Sequence, residues 1–309
     1  MLYTGGTMMK AILRKIKRII VVFYCSMKTF LEGLFCLTVS ISGIDGKRCK
    51  PEIQSDKSVL LLGNGPSLNN LDLDILSKKY DVACVNWFVI KDISRFLKIK
   101  PRYYFLLDPG FFLFGLESRT EEELNTLYQN LSELKNIFES IDWEMTLIIP
   151  QVYNFSLNNK HIKLKTIAVR DICGDYLKKY LYFLYKNNFA LCGSQNVLCG
   201  ALHYFIMNKF KIVYISGADM NEFKAHSVDE RNHVICEFTH FYGNDIIDRT
   251  EAGHIMPGEF YKFLGYYVKM LKEFHYLREF ADFQGVKVIN LSPYSFIDSF
   301  EKIEWRKLL

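Results

Sequence analysis

Nowhere among the eight cysteines of this chain do two stand in a CxxC spacing. Its absence speaks against a zinc ribbon or a thioredoxin-like redox motif. Cys25, Cys36, Cys84, Cys192 and Cys199 lie in apolar stretches instead, as reduced core thiols of a cytoplasmic protein would. Internal repeats and low-complexity segments are lacking too. A net charge of +5 comes without a basic stripe, so no nucleic acid is expected as a partner. That mild charge suits an anionic substrate or a membrane surface.

The 309 residues, 15% of them aromatic, suffice for one large α/β domain with an appendage. The appendage is residues 1–50. Lys10, Arg14, Lys15, Lys17 and Arg18 precede an apolar stretch over 19–42, and no small-residue cleavage site follows. Lys28 and Glu32 interrupt that stretch at i,i+4 spacing, which is costly at mid-bilayer. The sequence therefore predicts an amphipathic helix lying on an anionic membrane surface, with 43–58 as a linker. A helix packed on the body, or on another subunit, is the alternative. The remaining domain is expected over 51–309.

In that domain the most informative stretch is an apolar run, Val59 to Leu62, that stops at Gly63-Asn64-Gly65-Pro66-Ser67. Its length and flanking glycines predict a buried strand. Gly63 and Gly65 allow positive φ and close approach of another molecule, while Pro66 and Ser67 suit the first turn of a helix. Strand, turn and helix N-terminus together would make a phosphate site. Other strands are predicted to end at Asn86, at Asp108-Pro109-Gly110 and at Gly217-Ala218-Asp219, the edge where open parallel sheets bind ligands. Helices are predicted over 88–98, 117–141, 171–187, 194–208 and 257–283, with a last strand over 286–292. Strands alternating with helices indicate a mostly parallel sheet covered on both faces. Between 220 and 258 periodicity fades, which predicts a lid containing His226, His233, His240 and His254.

The glycine turn, Val85-Asn86, Ile215-Ser216-Gly217-Ala218-Asp219, Thr239-His240-Phe241-Tyr242 and Asn290-Leu291-Ser292-Pro293 together resemble glycosyltransferase family 42, bacterial sialyltransferases that use a CMP-activated sugar. The resemblance covers roughly residues 58–300. It implies a GT-A-like Rossmann-type fold and inverting transfer of an acidic sugar, sialic acid or a relative. The acceptor would be a glycan or glycolipid of a surface polysaccharide or lipopolysaccharide, and the site would be the cytoplasmic face of a bacterial inner membrane. There are departures. Asp108-Pro109-Gly110 replaces the family's Asn-Pro-Ser, and Met220-Asn221 stand where tyrosines hold the departing phosphate. Asn244 occupies the spacing of the catalytic His, with Gly253-His254 further on.

On this reading His254 is the general base, and His240 and Tyr242 steady the phosphate; His240 is the other candidate for the base. Gly63, Asn64, Gly65, Pro66, Ser67, Asn86, Asp108, Gly217 and Asp219 would address the nucleotide, all facing one hollow. Ser194, Gln195 and Asn196 at a helix start would meet the sugar carboxylate. No cofactor or metal is expected, since a monophosphate leaving group can be stabilised by hydrogen bonds. Asp72-Leu73-Asp74 matches a metal-binding Asp-x-Asp only superficially. Two rivals remain: a pterin pyrophosphokinase-like enzyme using Mg²⁺ and ATP, and a non-catalytic membrane scaffold. Self-association is left open.

Overall fold

The computed structural model describes residues 4–116, 120–240, 243–251, 253 and 255–309, with side chains described outside 4–8, 11, 222, 238–240 and 243–245. Four short runs carry the centre of the molecule: β1 (Ser58–Leu62), β2 (Asp81–Val85), β6 (Ile212–Ser216) and β10 (Lys287–Asn290). In β1, Val59 and Leu61 enter the core on one side of the sheet while Leu60 and Leu62 enter the core on the other. Such strands read as unbroken apolar runs because both faces are buried.

With β3 (Tyr103–Phe105), β4 (Met145–Pro150), β5 (Ile162–Ile167) and β11 (Glu301–Lys302) they form one eight-stranded sheet in the order β11-β10-β6-β1-β2-β3-β4-β5. Every pairing in it is parallel. The strand order reverses between β1 and β6. One face is covered by α6 (Lys178–Lys186), α7 (Val197–Met207) and α8 (Phe260–Gln284), the other by α2 (Leu73–Lys79), α3 (Phe88–Lys91), α4 (Ile93–Ile99) and α5 (Glu121–Ser140). This is the α/β arrangement expected from the sequence.

Local chemistry sets the boundaries, and several differ from expectation. Asp72 begins α2 by accepting from the Ile75 N–H at 3.1 Å, and Asp74 pairs with Lys98, so the Asp-x-Asp stretch is a helix cap and an ion pair. Asp92 divides the predicted 88–98 helix: it accepts from the Arg95 N–H at 2.9 Å and caps α4. Thr120 and Glu123 close a capping box at the head of α5. The predicted 171–187 helix begins only at Lys178, and the residues before it run beside the chain at Leu191. Ser194 is not the cap of α7; Asn196 is, accepting from the Leu198 N–H at 2.8 Å. Where fading periodicity predicts a lid loop, β7 (His226–Val228), β8 (Val234–His240) and β9 (Gly243–Asp248) build an antiparallel sheet.

Ahead of the domain, α1 (Thr4–Ser42) is one continuous helix. By length and composition, residues 12–42 of it are long and apolar enough to cross a membrane. Among the described residues its last third touches the body, through a stripe of Thr29, Gly33, Cys36, Val39 and Ser40 at helical spacing. Gly33 lies against Tyr180 and Leu184 of α6, and a Cβ there would come within 2.8 Å of Leu184. The Lys28–Glu32 pair faces solvent at 3.8 Å.

Gly63 and Gly65 are glycines because of the chain's own atoms, the Gly217 carbonyl at both and, nearer still at Gly65, the Asp219 carboxylate. A Cβ at Gly63 would collide with the Gly217 carbonyl oxygen, whereas Gly265 in α8 has nothing within 4 Å. Gly63→Ala is expected to cost about 1–3 kcal/mol in urea denaturation. Gly265→Ala should instead add about 0.5–1 kcal/mol, because there alanine meets open space and a helical backbone.

Candidate functional site

The sequence brings three strand ends and one helix start to the same edge of the sheet, and a cleft of about 430 Å³ opens among them. Asn86 follows β2, Asp108 follows β3, Pro150 ends β4, and Ser194, Gln195 and Asn196 lead into α7; all six line the cleft. Asn86 sits at φ +46°, a left-handed conformation that Asn tolerates better than most residues. Its Oδ1 accepts from the Leu107 N–H at 3.3 Å and its carbonyl accepts from the Tyr104 hydroxyl at 2.7 Å, so β2 and β3 are clipped together at the rim. Asp108 accepts from the Gly110 N–H at 2.8 Å and stays exposed. Across the rim, burial and then the Asp108 carboxylate push the Tyr153 hydroxyl upward in pKa.

The other wall is the segment 193–196, held from beneath by a residue that no sequence pattern flags. Glu273 of α8 is 1% exposed, and its Oε2 accepts from the Gln195 N–H at 3.1 Å. Gly193, at φ +96°, passes so close that a Cβ would stand 2.7 Å from that oxygen. Glu273 Oε1 finds no hydrogen-bond partner among the described residues; Lys269 lies 3.9 Å away and is itself shared with Asp171 at 3.4 Å. On the opposite side His203 Nδ1 accepts from the Cys192 N–H at 3.1 Å, and complete burial pulls this ring down to about 3, so it is neutral. An acid and an imidazole, both interior, thus fix the loop in front of α7.

The glycine-turn part of the expected site stands where β1 and β6 end side by side. There the Gly63 N–H donates to the Ser216 carbonyl at 2.7 Å and the Gly65 N–H to the Gly217 carbonyl at 2.8 Å. Gly217 is at φ +64°, but Gly65 is at φ −73°, so its smallness is required by proximity and not by a left-handed turn. The Ser67 N–H donates to Asp219 Oδ2 at 3.1 Å; Ser67 Oγ is 2.9 Å from that oxygen and 2.9 Å from Ser292 Oγ. Ser292 Oγ also accepts from the Ala218 N–H at 3.2 Å. Burial raises the Asp219 carboxyl against the pull of the Ser67 hydrogen bonds.

This corrects the expected helix start after the glycine turn. Pro66–Asn70 is a five-residue 3-10 turn, not the start of a longer helix, and the Asp219 carboxylate occupies the place an anion would take at Ser67. Gly63, Asn64, Gly65, Pro66, Ser67, Gly217 and Asp219 do not line the cleft that Asn86, Asp108, Ser194, Gln195 and Asn196 share. Asn64 keeps one open valence: its Oδ1 is buried without a hydrogen-bond partner among the described residues.

Of the three expected catalytic residues, Tyr242 and His254 lie outside the described residues, and His240 is described by its backbone alone, as the end of β8. His233 pairs with Asp248 at 2.8 Å and His226 packs on Phe263 with ring centroids 4.1 Å apart, both within or against the small sheet. Among the described residues no group of three His, Cys, Asp or Glu side chains is placed to hold a metal ion.

No family model and no curated protein matches the chain. Among solved structures it is similar to the MAf glycosyltransferase from Magnetospirillum magneticum AMB-1, at 14% identity over 86% of this chain and 37% of that one, with a TM-score of 0.46. It is also similar to the sialyltransferase CstII from Campylobacter jejuni in complex with the substrate analogue cytidine-5'-monophosphate, at 17% identity over 84% and 86% of the chains and a TM-score of 0.36. The monofunctional α-2,3-sialyltransferase Cst-I from Campylobacter jejuni aligns at 18% identity over 82% and 83%, with a TM-score of 0.38. The present chain thus spans little more than a third of the MAf glycosyltransferase.

Burial pushes the Glu273 carboxyl above its ordinary 4.5, so its ionisation subtracts stability as pH rises through and beyond that value. Glu273→Gln keeps an acceptor for Gln195 without the charge. Its melting temperature should gain on wild type as pH is raised from about 4 to 7. Glu273→Ala, which leaves a void and an unanswered N–H, should lose about 2–4 kcal/mol at neutral pH. Thermal melts across that pH series check both.

Proposed function

We propose that this protein is a glycosyltransferase that moves an acidic sugar, sialic acid or a relative, from a CMP-activated donor to a glycan or glycolipid acceptor with inversion. The observation that carries the reading is the cleft. Three parallel strands and the head of α7 deliver Asn86, Asp108, Pro150, Ser194, Gln195 and Asn196 to one volume of the size that small ligands occupy. Asn86 and Asp108 offer the donor and acceptor groups that a cytosine edge or a ribose needs. The amide-rich start of α7 suits the carboxylate of the sugar acid.

In the reaction the acceptor oxygen attacks the anomeric carbon as the bond from that carbon to the phosphate oxygen breaks. CMP departs with the bonding electrons, and the acceptor proton passes to a base. His254 is assigned as that base and His240 and Tyr242 as the groups that steady the phosphate. Hydrogen bonds from neutral groups suffice for a monophosphate, so no metal is assigned. A magnesium-dependent pyrophosphokinase would use Asp108 together with Asp219, and Asp219 Oδ2 is already engaged by Ser67. The long apolar α1 is assigned to the cytoplasmic face of an inner membrane, lying on it through the five cations between Lys10 and Arg18.

CMP should raise the melting temperature selectively over CDP, GDP, UDP and ATP, equally in EDTA and in magnesium, with about 2.7 kcal/mol of stabilisation at a hundredfold excess over Kd. Asn86→Ala and Asp108→Ala should each weaken that response. His254→Ala and His240→Ala, assayed separately for sugar transfer, should show a loss of roughly 10²–10⁴-fold at the true base. A response to ATP that needs magnesium would replace this reading with the pyrophosphokinase one.

A further inference from the structure

We propose that the mouth of the cleft is itself a lipid-binding surface, continuous with α1, and that its partner is an anionic bilayer. The inference rests on the membrane reading of α1 and not on the sugar chemistry. From Ile19 to Tyr24 six consecutive side chains of α1 are exposed, hence all round the helix, and nothing in the body covers them. The first acidic residue of the chain is Glu32, after six cations. That end of the helix suits a negatively charged lipid surface.

The other end leads straight to the cleft. Ile41 and Ile44 are exposed, Ile44 at 76%. Gly46, at φ +91°, is pressed onto the Gln151 carbonyl, and its Cβ position lies 3.8 Å from Val152 Cα. Val152 lines the cleft and is exposed. Its neighbour Tyr153 stacks on Phe112 at 4.1 Å and meets Phe114 at 5.2 Å. Leu113 and Phe114, 50% and 60% exposed, complete this rim without lining the cleft. Leu113 does so at φ +61°, where a branched apolar residue is rare. The nearest acid on the α1 side, Asp45, is neutralised by Arg170 at 2.8 and 3.0 Å, while Lys47 and Lys50 stay exposed beside Ile44. On the cleft side Asp108 is exposed and accepts from the Gly110 N–H, and among the described residues Glu121, Glu122 and Glu123 at the head of α5 are exposed as well. Apolar side chains flanked by lysines are what an interfacial surface requires.

Full-length protein is to be mixed with phosphatidylcholine vesicles, with and without phosphatidylglycerol, and sedimented. Wild type should partition to the anionic vesicles, and Leu113→Ser with Phe114→Ser should lower that partitioning at least about tenfold. Phe114→Trp should be quenched by bromine-labelled acyl chains beyond the background of the native tryptophans. Unchanged partitioning of the double variant, or an unquenched Trp at 114, overturns the proposal. So does a dimer in solution that the double variant dissociates, which would make the rim a contact between copies. Wild type that ignores anionic vesicles removes the membrane reading and this proposal together. No nucleotide or acceptor enters the experiment, so its outcome is independent of the assigned reaction.

Discussion

Everything at the working edge of the sheet depends on two backbones touching where β1 and β6 end. A Cβ at Gly217 would stand 2.5 Å from the Gly63 carbonyl oxygen, and a Cβ at Gly63 would meet the Gly217 carbonyl in return. Because neither residue has a side chain, the turn after β6 folds under the turn after β1 and carries Asp219 to Ser67. The same bareness lets α7 settle: Leu198 Cδ1 lies 3.1 Å from the Cβ position of Gly63, and Leu107 packs against Gly200. The seat of α7 on those two glycines determines where residues 194–196 stand, and so determines one wall of the cleft.

A loop placed that way would still wander without anchors, and it has two from inside the protein. Glu273 reaches it from α8 and His203 from α7. Both are ionisable groups in an apolar interior, where an uncompensated charge is expensive. His203 meets the cost by staying neutral. Glu273 meets it partly with backbone amides, and its second oxygen is left with only Lys269 nearby. Paying stability for a fixed loop is common where a surface must present several polar groups in register.

The architecture was legible because double burial leaves an obvious trace. Val59 to Leu62, Val82 to Val85 and Val213 to Ile215 are apolar at every position, and each stops at a polar residue or a glycine on the same edge. Strand ends marked Asn86 and Asp108, and a helix start marked Ser194, Gln195 and Asn196. The glycine turn is ambiguous for a physical reason: a glycine that admits a ligand and one that admits a neighbouring strand look the same in one dimension. Only the contact with Gly217, over 150 residues away, tells them apart. Glu273 was invisible for a similar reason, as one acid in a helix with other charges on it. Asp92 and Asn196 act through single hydrogen bonds to amides two or three residues on, which shift helix boundaries by amounts that periodicity cannot resolve. The two longer strands of the small antiparallel sheet carry polar residues at both odd and even positions, so their period-two signal is faint.

The attachment of α1 has a mechanical side. Its contacts with the body begin near Thr29, and Gly33 is the pivot against Tyr180 and Leu184. Met9 lies 24 residues beyond that pivot, roughly 36 Å along a helix. The free arm is therefore a lever: a tilt of about 5° at the glycine swings its tip by about 3 Å. A side chain added at position 33 would act on the far end more than on the joint itself, and the docked segment that leads on to Asp45 and the cleft wall would feel the opposite torque.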